Sequence, residues 1–153
     1  QELSRANHEY PFVTTCLAIL DADSGLLEYV CAGHDAPLLL RGKTVQPIDT
    51  QAVCGPPLCA QSDYPFTSAR LQLEPGDLLC LFTDGVSEAS NGQEMFGRQR
   101  LAAMLHAGAA DAPLAGRATA IRDTVRQFEA GQPPFDDLTV LLASWYGRPP
   151  NER

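Results

Sequence analysis

Between the turn residues Glu74-Pro75-Gly76-Asp77 and the polar triplet Thr83-Asp84-Gly85 stands an unbroken apolar run, Leu78-Leu79-Cys80-Leu81-Phe82. Five residues make a strand rather than a helix, and this one has no polar residue on either of its alternating faces. Such a strand is expected to be buried on both faces or placed centrally in a sheet. Pro75 presets φ for the turn that feeds it, and Gly76 closes that turn.

The rest of the chain supplies neighbours for this strand. Phe12 to Leu20 and Leu26 to Ala32 are rich in β-formers and flank Asp21-Ala22-Asp23-Ser24-Gly25, which predicts a hairpin. Ala36 to Arg41 and Thr44 to Ile48 predict a second hairpin across Gly42-Lys43. Residues 49–63 hold Gly55, Pro56 and Pro57 and are expected to be irregular. Phe66 to Leu73 nearly alternates and reads as a half-buried strand, and Leu138 to Tyr146 reads as the last one. Two helices are predicted, over 97–107 with Leu101, Met104 and Leu105 on one side, and over 113–129. In the second, Leu114, Ala118, Ile121, Val125 and Phe128 fall on one stripe that faces a core. Gly131 and Pro133-Pro134 end it. Residues 2–8 read as the tail of a helix that begins before the chain does, and the polar stretch from Gly147 reads as frayed. Hairpins followed by late helices give an α+β layout with helices packed on sheet. No repeat or linker divides the chain.

Composition narrows the function. A net charge of -8 argues against nucleic acid, whose binders concentrate Lys and Arg. No apolar run approaches the roughly 20 residues that span a bilayer. The N-terminus is too polar for a signal peptide. With no initiator Met, the chain reads as a piece of a longer one. Its five cysteines, Cys16, Cys31, Cys54, Cys59 and Cys80, are odd in number and lack short paired spacing. That suits reduced cytoplasmic thiols better than a disulfide framework, and Cys54 and Cys59 are too far apart for a CxxC zinc ligand pair.

Three carboxylates stand out by position. Asp84 follows the apolar strand directly and is itself followed by Gly85, which permits close approach of backbone or ligand. Asp136 and Asp137 directly precede the last predicted strand. Adjacent carboxylates repel, and a hard divalent cation with a preference for oxygen relieves the repulsion. Each signal also has an ordinary reading: Asp-Gly after a strand is commonly a turn, and Asp-Asp before one is commonly solvated or capping. Spacing alone leaves these alternatives open.

Taken as phrases, the segments resemble the SpoIIE/RsbU type of PPM (metal-dependent) protein phosphatases. Phe12-Val13-Thr14-Thr15 with the Asp21–Gly25 turn is similar to that family's FVT strand and turn. Tyr29-Val30-Cys31-Ala32-Gly33-His34-Asp35-Ala36-Pro37 resembles its Y-x-N-A-G-H-x-P phrase, with Cys31 in place of the usual Asn. Leu73-Glu74-Pro75-Gly76-Asp77 resembles L-x-P-G-D. Thr83-Asp84-Gly85-Val86-Ser87-Glu88-Ala89, with Phe96-Gly97 after it, resembles T-D-G-V-T-E-A and its F-G. Phe135-Asp136-Asp137-Leu138-Thr139 resembles the closing D-D-I/L-T.

The resemblance implies a four-layer α/β/β/α sandwich of antiparallel sheets. It also implies hydrolysis of phosphoserine or phosphothreonine on a protein, with two Mn²⁺ or Mg²⁺ ions neutralising the phosphoryl oxygens while water attacks in line. Asp84 and Asp136 would then be metal ligands, Asp137 a ligand or a support for one, and Gly85 the residue that allows close packing at the metal edge. His34 would more readily orient a loop than act in catalysis. The implied substrate is an anti-anti-sigma-type regulator, under a sensor or response-regulator domain preceding the phosphatase domain. The family's first metal motif, an Asp opening a Gly/His/Gly stretch before the FVT strand, has no counterpart in residues 1–11. Residues 1–146 are therefore expected to be the C-terminal part of one such domain, missing its N-terminal elements and inactive alone, with 147–153 a flexible tail. Apolar surface left by the missing elements would favour a homodimer. The competing expectation is a non-catalytic regulatory or protein-binding module that keeps the fold without the metal chemistry.

Overall fold

The computed structural model describes residues 12–108, 112–134 and 136–148. They divide into two compact units. The first draws on residues up to Ala36, on Asp49–Pro75 and on the chain from Gly147; the second comprises Pro37–Ile48 and Gly76–Tyr146. The helix expected over residues 2–8 lies outside the described residues.

The first unit is built on β1 (Thr15–Leu20) and β2 (Leu26–Ala32), an antiparallel hairpin in which Thr15 pairs with Ala32 and Leu20 with Leu27. Asp21 closes its turn: its carboxylate accepts hydrogen bonds from the Asp23 and Ser24 amides at 2.9 and 3.2 Å. Gly25, at φ +74°, supplies the left-handed residue that the turn needs. Two further strands share the other edge of β2. The later of them, β6 (Ala69–Gln72), runs antiparallel along its beginning. The earlier, β5 (Cys54–Gly55), runs parallel to its end, with Cys54 opposite Cys31. Residues 49–63 are thus not wholly irregular, as the sequence had suggested. Backbone pairing extends β2 through a segment whose glycine and prolines mask any strand pattern.

The second unit is a sheet in the order β4-β3-β7-β8, with β3 (Leu38–Arg41), β4 (Thr44–Pro47), β7 (Asp77–Phe82) and β8 (Val140–Trp145) all antiparallel. The apolar run holds the expected central place, as β7 lies between β3 and β8 and is buried at nearly every position. One face of it, Leu78, Cys80 and Phe82, joins the core formed with Leu101 and Leu105 of α2 (Gly97–Ala107) and Ile121 and Val125 of α3 (Leu114–Phe128). Both helices keep close to their predicted bounds. A four-residue helical turn, α1 (Asp84–Ser87), was not foreseen. The outer strands are shorter than expected: β1 begins at Thr15, β6 covers only Ala69–Gln72, and β8 begins at Val140.

An ion pair fixes the start of β7. Asp77 is 2% exposed, and Arg41, at the end of β3, grips its carboxylate through Nε at 3.1 Å and Nη2 at 2.6 Å.

All five cysteines are free thiols. Cys31 and Cys80 have no exposed surface, and burial pushes each thiol from 9.0 up to about 12. The folded chain therefore holds two protons that the unfolded chain releases near pH 9. The stability this confers is complete below that pH and is lost as pH rises toward about 12. Urea midpoints measured across this range are expected to fall with pH, and the slope should flatten when both residues are replaced by Ala.

Candidate metal centre

Strands β7 and β8 pair in register from Asp77 opposite Trp145 to Phe82 opposite Val140. Each leads at that end of the ladder to one of the acidic segments. The ladder runs one step further, since the Thr83 amide donates to the Thr139 carbonyl at 3.1 Å. Thr83 then locks the two segments together with its side chain. Its hydroxyl donates to the Asp137 carbonyl at 2.9 Å and accepts from the Thr139 amide at 3.0 Å. These contacts join residues 54 and 56 positions apart in the chain.

Gly85 completes the joint. A Cβ at this position would lie 2.5 Å from the Asp137 carbonyl oxygen and 3.2 Å from that of Asp136. No side chain fits there, so the glycine is required by space rather than by backbone twist. Beyond it, Val86 and Ala89 are fully buried and anchor α1 in the core. The amide of Glu88 donates to the Asp84 carbonyl at 2.7 Å and that of Val86 to Thr83 at 2.9 Å. Asp84 is in this way held at the mouth of a short, well-rooted turn.

The three carboxylates expected to bind metal are all exposed. Asp84 Oδ1 accepts from the Gly85 amide at 3.0 Å, and Asp136 Oδ1 accepts from the Asp137 amide at 2.6 Å. The donor chemistry around this joint is hard oxygen, carboxylate and carbonyl, which suits Mg²⁺ or Mn²⁺. Their number is small: no group of three or more His, Cys, Asp or Glu side chains converges tightly enough to hold an ion among the described residues. The fit to such an ion is one of donor type alone, since the described side chains form no converging ligand cluster.

Sequence reasoning missed Thr83 as the clasp. Its signal was the threonine that stands beside each acidic motif, Thr83 before Asp84 and Thr139 two residues after Asp137. Replacing Thr83 by Val removes both hydroxyl bonds while keeping the shape. A loss of about 1–2 kcal/mol is expected, together with faster amide exchange at Thr139, as measured by urea unfolding and hydrogen exchange.

His34 lies in the first unit. Its Nδ1 is 3.2 Å from Thr14 Oγ1, and the preceding Gly33, at φ +64°, packs where a Cβ would meet the Pro57 ring at 2.6 Å. The Gly33 amide donates to Gly55 at 2.9 Å. Within that unit, the Phe-Val-Thr and Gly-His phrases bind strand ends and loop to one another.

Comparison with known proteins agrees with this anatomy. The family model described as Stage II sporulation protein E (SpoIIE) matches residues 1–146. Protein IcfG of Synechocystis sp. is 31% identical over 135 residues, which is 85% of this chain and 20% of that protein. Among solved structures, the SiaA-PP2C domain of Pseudomonas aeruginosa superposes with a TM-score of 0.73 at 25% identity, over 86% of this chain and 51% of that one. The Mn-presoaked phosphatase domain of SpoIIE from Bacillus subtilis gives 0.70 at 20% identity, over 90% and 59%. The chain thus spans a fifth of the curated relative and between half and three-fifths of these solved domains. Its mixed α+β fold with antiparallel sheets is that of PP2C phosphatase domains. On the match to its sequence across nearly its whole length, the chain belongs to the SpoIIE family.

Proposed function

We propose that this chain carries part of the metal centre of a protein serine/threonine phosphatase, with Asp84, Asp136 and Asp137 as ligands to Mn²⁺ or Mg²⁺, two ions in the complete centre. The observation that carries the reading is the joint at the end of β7, where Thr83 and Gly85 are fitted to the Asp136–Thr139 segment. Such a joint has a use if the carboxylates on either side of it must act on the same ion. Bound divalent cations supply Lewis-acid neutralisation of the phosphoryl charge. The chain's own part is to hold carboxylates on a stiff support, keep them open to solvent, and leave room at Gly85. Membership of the SpoIIE family and the fold shared with PP2C domains support this assignment.

The substrate in this reading is phosphoserine or phosphothreonine on a protein of the anti-anti-sigma class, in the cytoplasm. A sensor or response-regulator domain governs the activity. The regulatory-domain fragment solved with the Bacillus subtilis SpoIIE phosphatase domain lends support to such an arrangement. No described helix is long and apolar enough to cross a membrane.

Phosphate release from a phosphoserine protein by the whole protein containing this chain should require Mn²⁺ or Mg²⁺. It should vanish with EDTA and return when Mn²⁺ is restored, and calorimetry should resolve two Mn²⁺ ions. Absence of Mn²⁺ binding in that whole protein would refute the reading in favour of a non-catalytic module that retains the fold.

A further inference from the structure

We propose that Cys16 and Cys31 form a peroxide-oxidisable dithiol that closes to a disulfide between β1 and β2. The register of the hairpin sets the two residues directly opposite each other. Their sulfurs lie 3.4 Å apart, with the Cys31 thiol donating to Cys16 Sγ. The backbone decides what kind of pair this is. The Cys31 amide donates across the other edge of β2, to the Val53 carbonyl at 3.4 Å, and the Gly33 amide does the same to Gly55 at 2.9 Å. Cys16 and Cys31 are therefore a non-hydrogen-bonded pair of the β1–β2 ladder. Pairs of this kind bring their Cα atoms to about 4.5 Å and their side chains closer than the alternating pairs do. That separation falls within the range of about 4.4–6.8 Å over which a disulfide can form, and a bond of about 2.05 Å needs only a small side-chain rotation.

Access also differs between the two. Cys16 is half-buried on β1, which ends the sheet among the described residues, whereas Cys31 is buried. Peroxide therefore reaches Cys16 first. The Cys16 thiol gives up its proton and its sulfur attacks one peroxide oxygen; an S–O bond forms, the O–O bond breaks, and the leaving hydroxide takes that proton, so Cys16 sulfenic acid and water result. The Cys31 sulfur then attacks the Cys16 sulfur. The S–S bond forms, the S–O bond breaks, and hydroxide leaves with the Cys31 proton as a second water. The two thiols lose two electrons and hydrogen peroxide gains them. Burial raises both thiols, so the reaction should quicken as pH rises. Cys54 is the competitor: it is exposed, and it pairs with Cys31 from the other side of β2.

This inference is independent of the phosphatase reading, and mass spectrometry tests it. The 153-residue chain is treated with hydrogen peroxide, its remaining thiols are alkylated in denaturant, and it is cleaved at Glu and Asp, which separates Cys16 from Cys31 at Asp21, Asp23 and Glu28. The expected product is a Cys16–Cys31 linked peptide pair, with alkylation lost at both positions in step and restored by dithiothreitol. Cys54→Ser should leave the link in place. Cys31→Ser should abolish it and send Cys16 on to the sulfinic acid. The proposal fails if both residues stay alkylated while Cys54 is oxidised, or if the dominant link is Cys31–Cys54 or Cys54–Cys59.

Discussion

Asp84→Asn, in the protein that carries this chain, is expected to lower phosphatase turnover by roughly a hundredfold or more without unfolding it. The substitution keeps the shape of the side chain and retains an Oδ1 to accept the Gly85 amide, so the short turn of α1 survives. Asp84 is exposed, and removing its charge exposes no buried partner. What is lost is an anionic oxygen, and hard-cation affinity depends on ligand charge and number. The Mn²⁺ concentration that gives half-maximal rate should therefore rise as turnover falls, while the circular dichroism stays that of the parent. Gly85→Ala is the contrasting case. Its charge is unchanged, yet its new methyl has no room beside the Asp137 carbonyl, at 2.5 Å. It should weaken metal binding by displacing the Asp136–Asp137 backbone, with a visible change in amide exchange there. Unaltered turnover in Asp84→Asn would remove the carboxylate from the chemistry altogether.

The second large effect concerns stability. Arg41→Ala should destabilise the fold by about 3–5 kcal/mol, because it leaves the Asp77 carboxylate at 2% exposure without its guanidinium partner. Arg41 is itself about one-third exposed, with 35% of its side chain open, and the low end of that range is the better expectation. The damage comes from leaving a buried charge less well compensated, not from losing a large net attraction. A double replacement, Arg41→Met with Asp77→Leu, should recover most of the loss. Equilibrium urea unfolding of the two variants beside the parent checks this. A single-variant cost below about 1 kcal/mol, the value typical of an exposed pair, would show that Asp77 is supported by other contacts.

Strand β2 and the two long helices were legible because each buries one periodic face, and periodicity survives in a sequence read alone. The central place of β7 followed from the opposite pattern, an apolar run with no polar face, which is buried at nearly every position. Strand β5 was not legible, since a two-residue parallel pairing is made by backbone groups and needs no apolar pattern. The burial of Asp77 was hidden for a related reason. Its residues read as a turn, and nothing in a turn announces an arginine 36 positions earlier. At the candidate centre, Asp84, Asp136 and Asp137 stood out through their place at the ends of apolar runs. The threonine hydroxyl that ties the segments together did not, because a threonine beside an acidic motif does not by itself name an acceptor 54 residues away. The need for Gly85 was read as permissiveness, and the structure gives it a sharper cause in the neighbouring carbonyl.

The pairing of β7 with β8 has a temporal side. As the polypeptide leaves the ribosome, Asp84 emerges long before the strand that completes its surroundings, and Thr83 finds its acceptor only when Asp137 has been made. A nascent chain stopped at α3 has most of its core residues but no assembled acidic joint. On the proposed reading, cation capture waits until the sheet is whole, and a half-synthesised product offers divalent ions no ready seat.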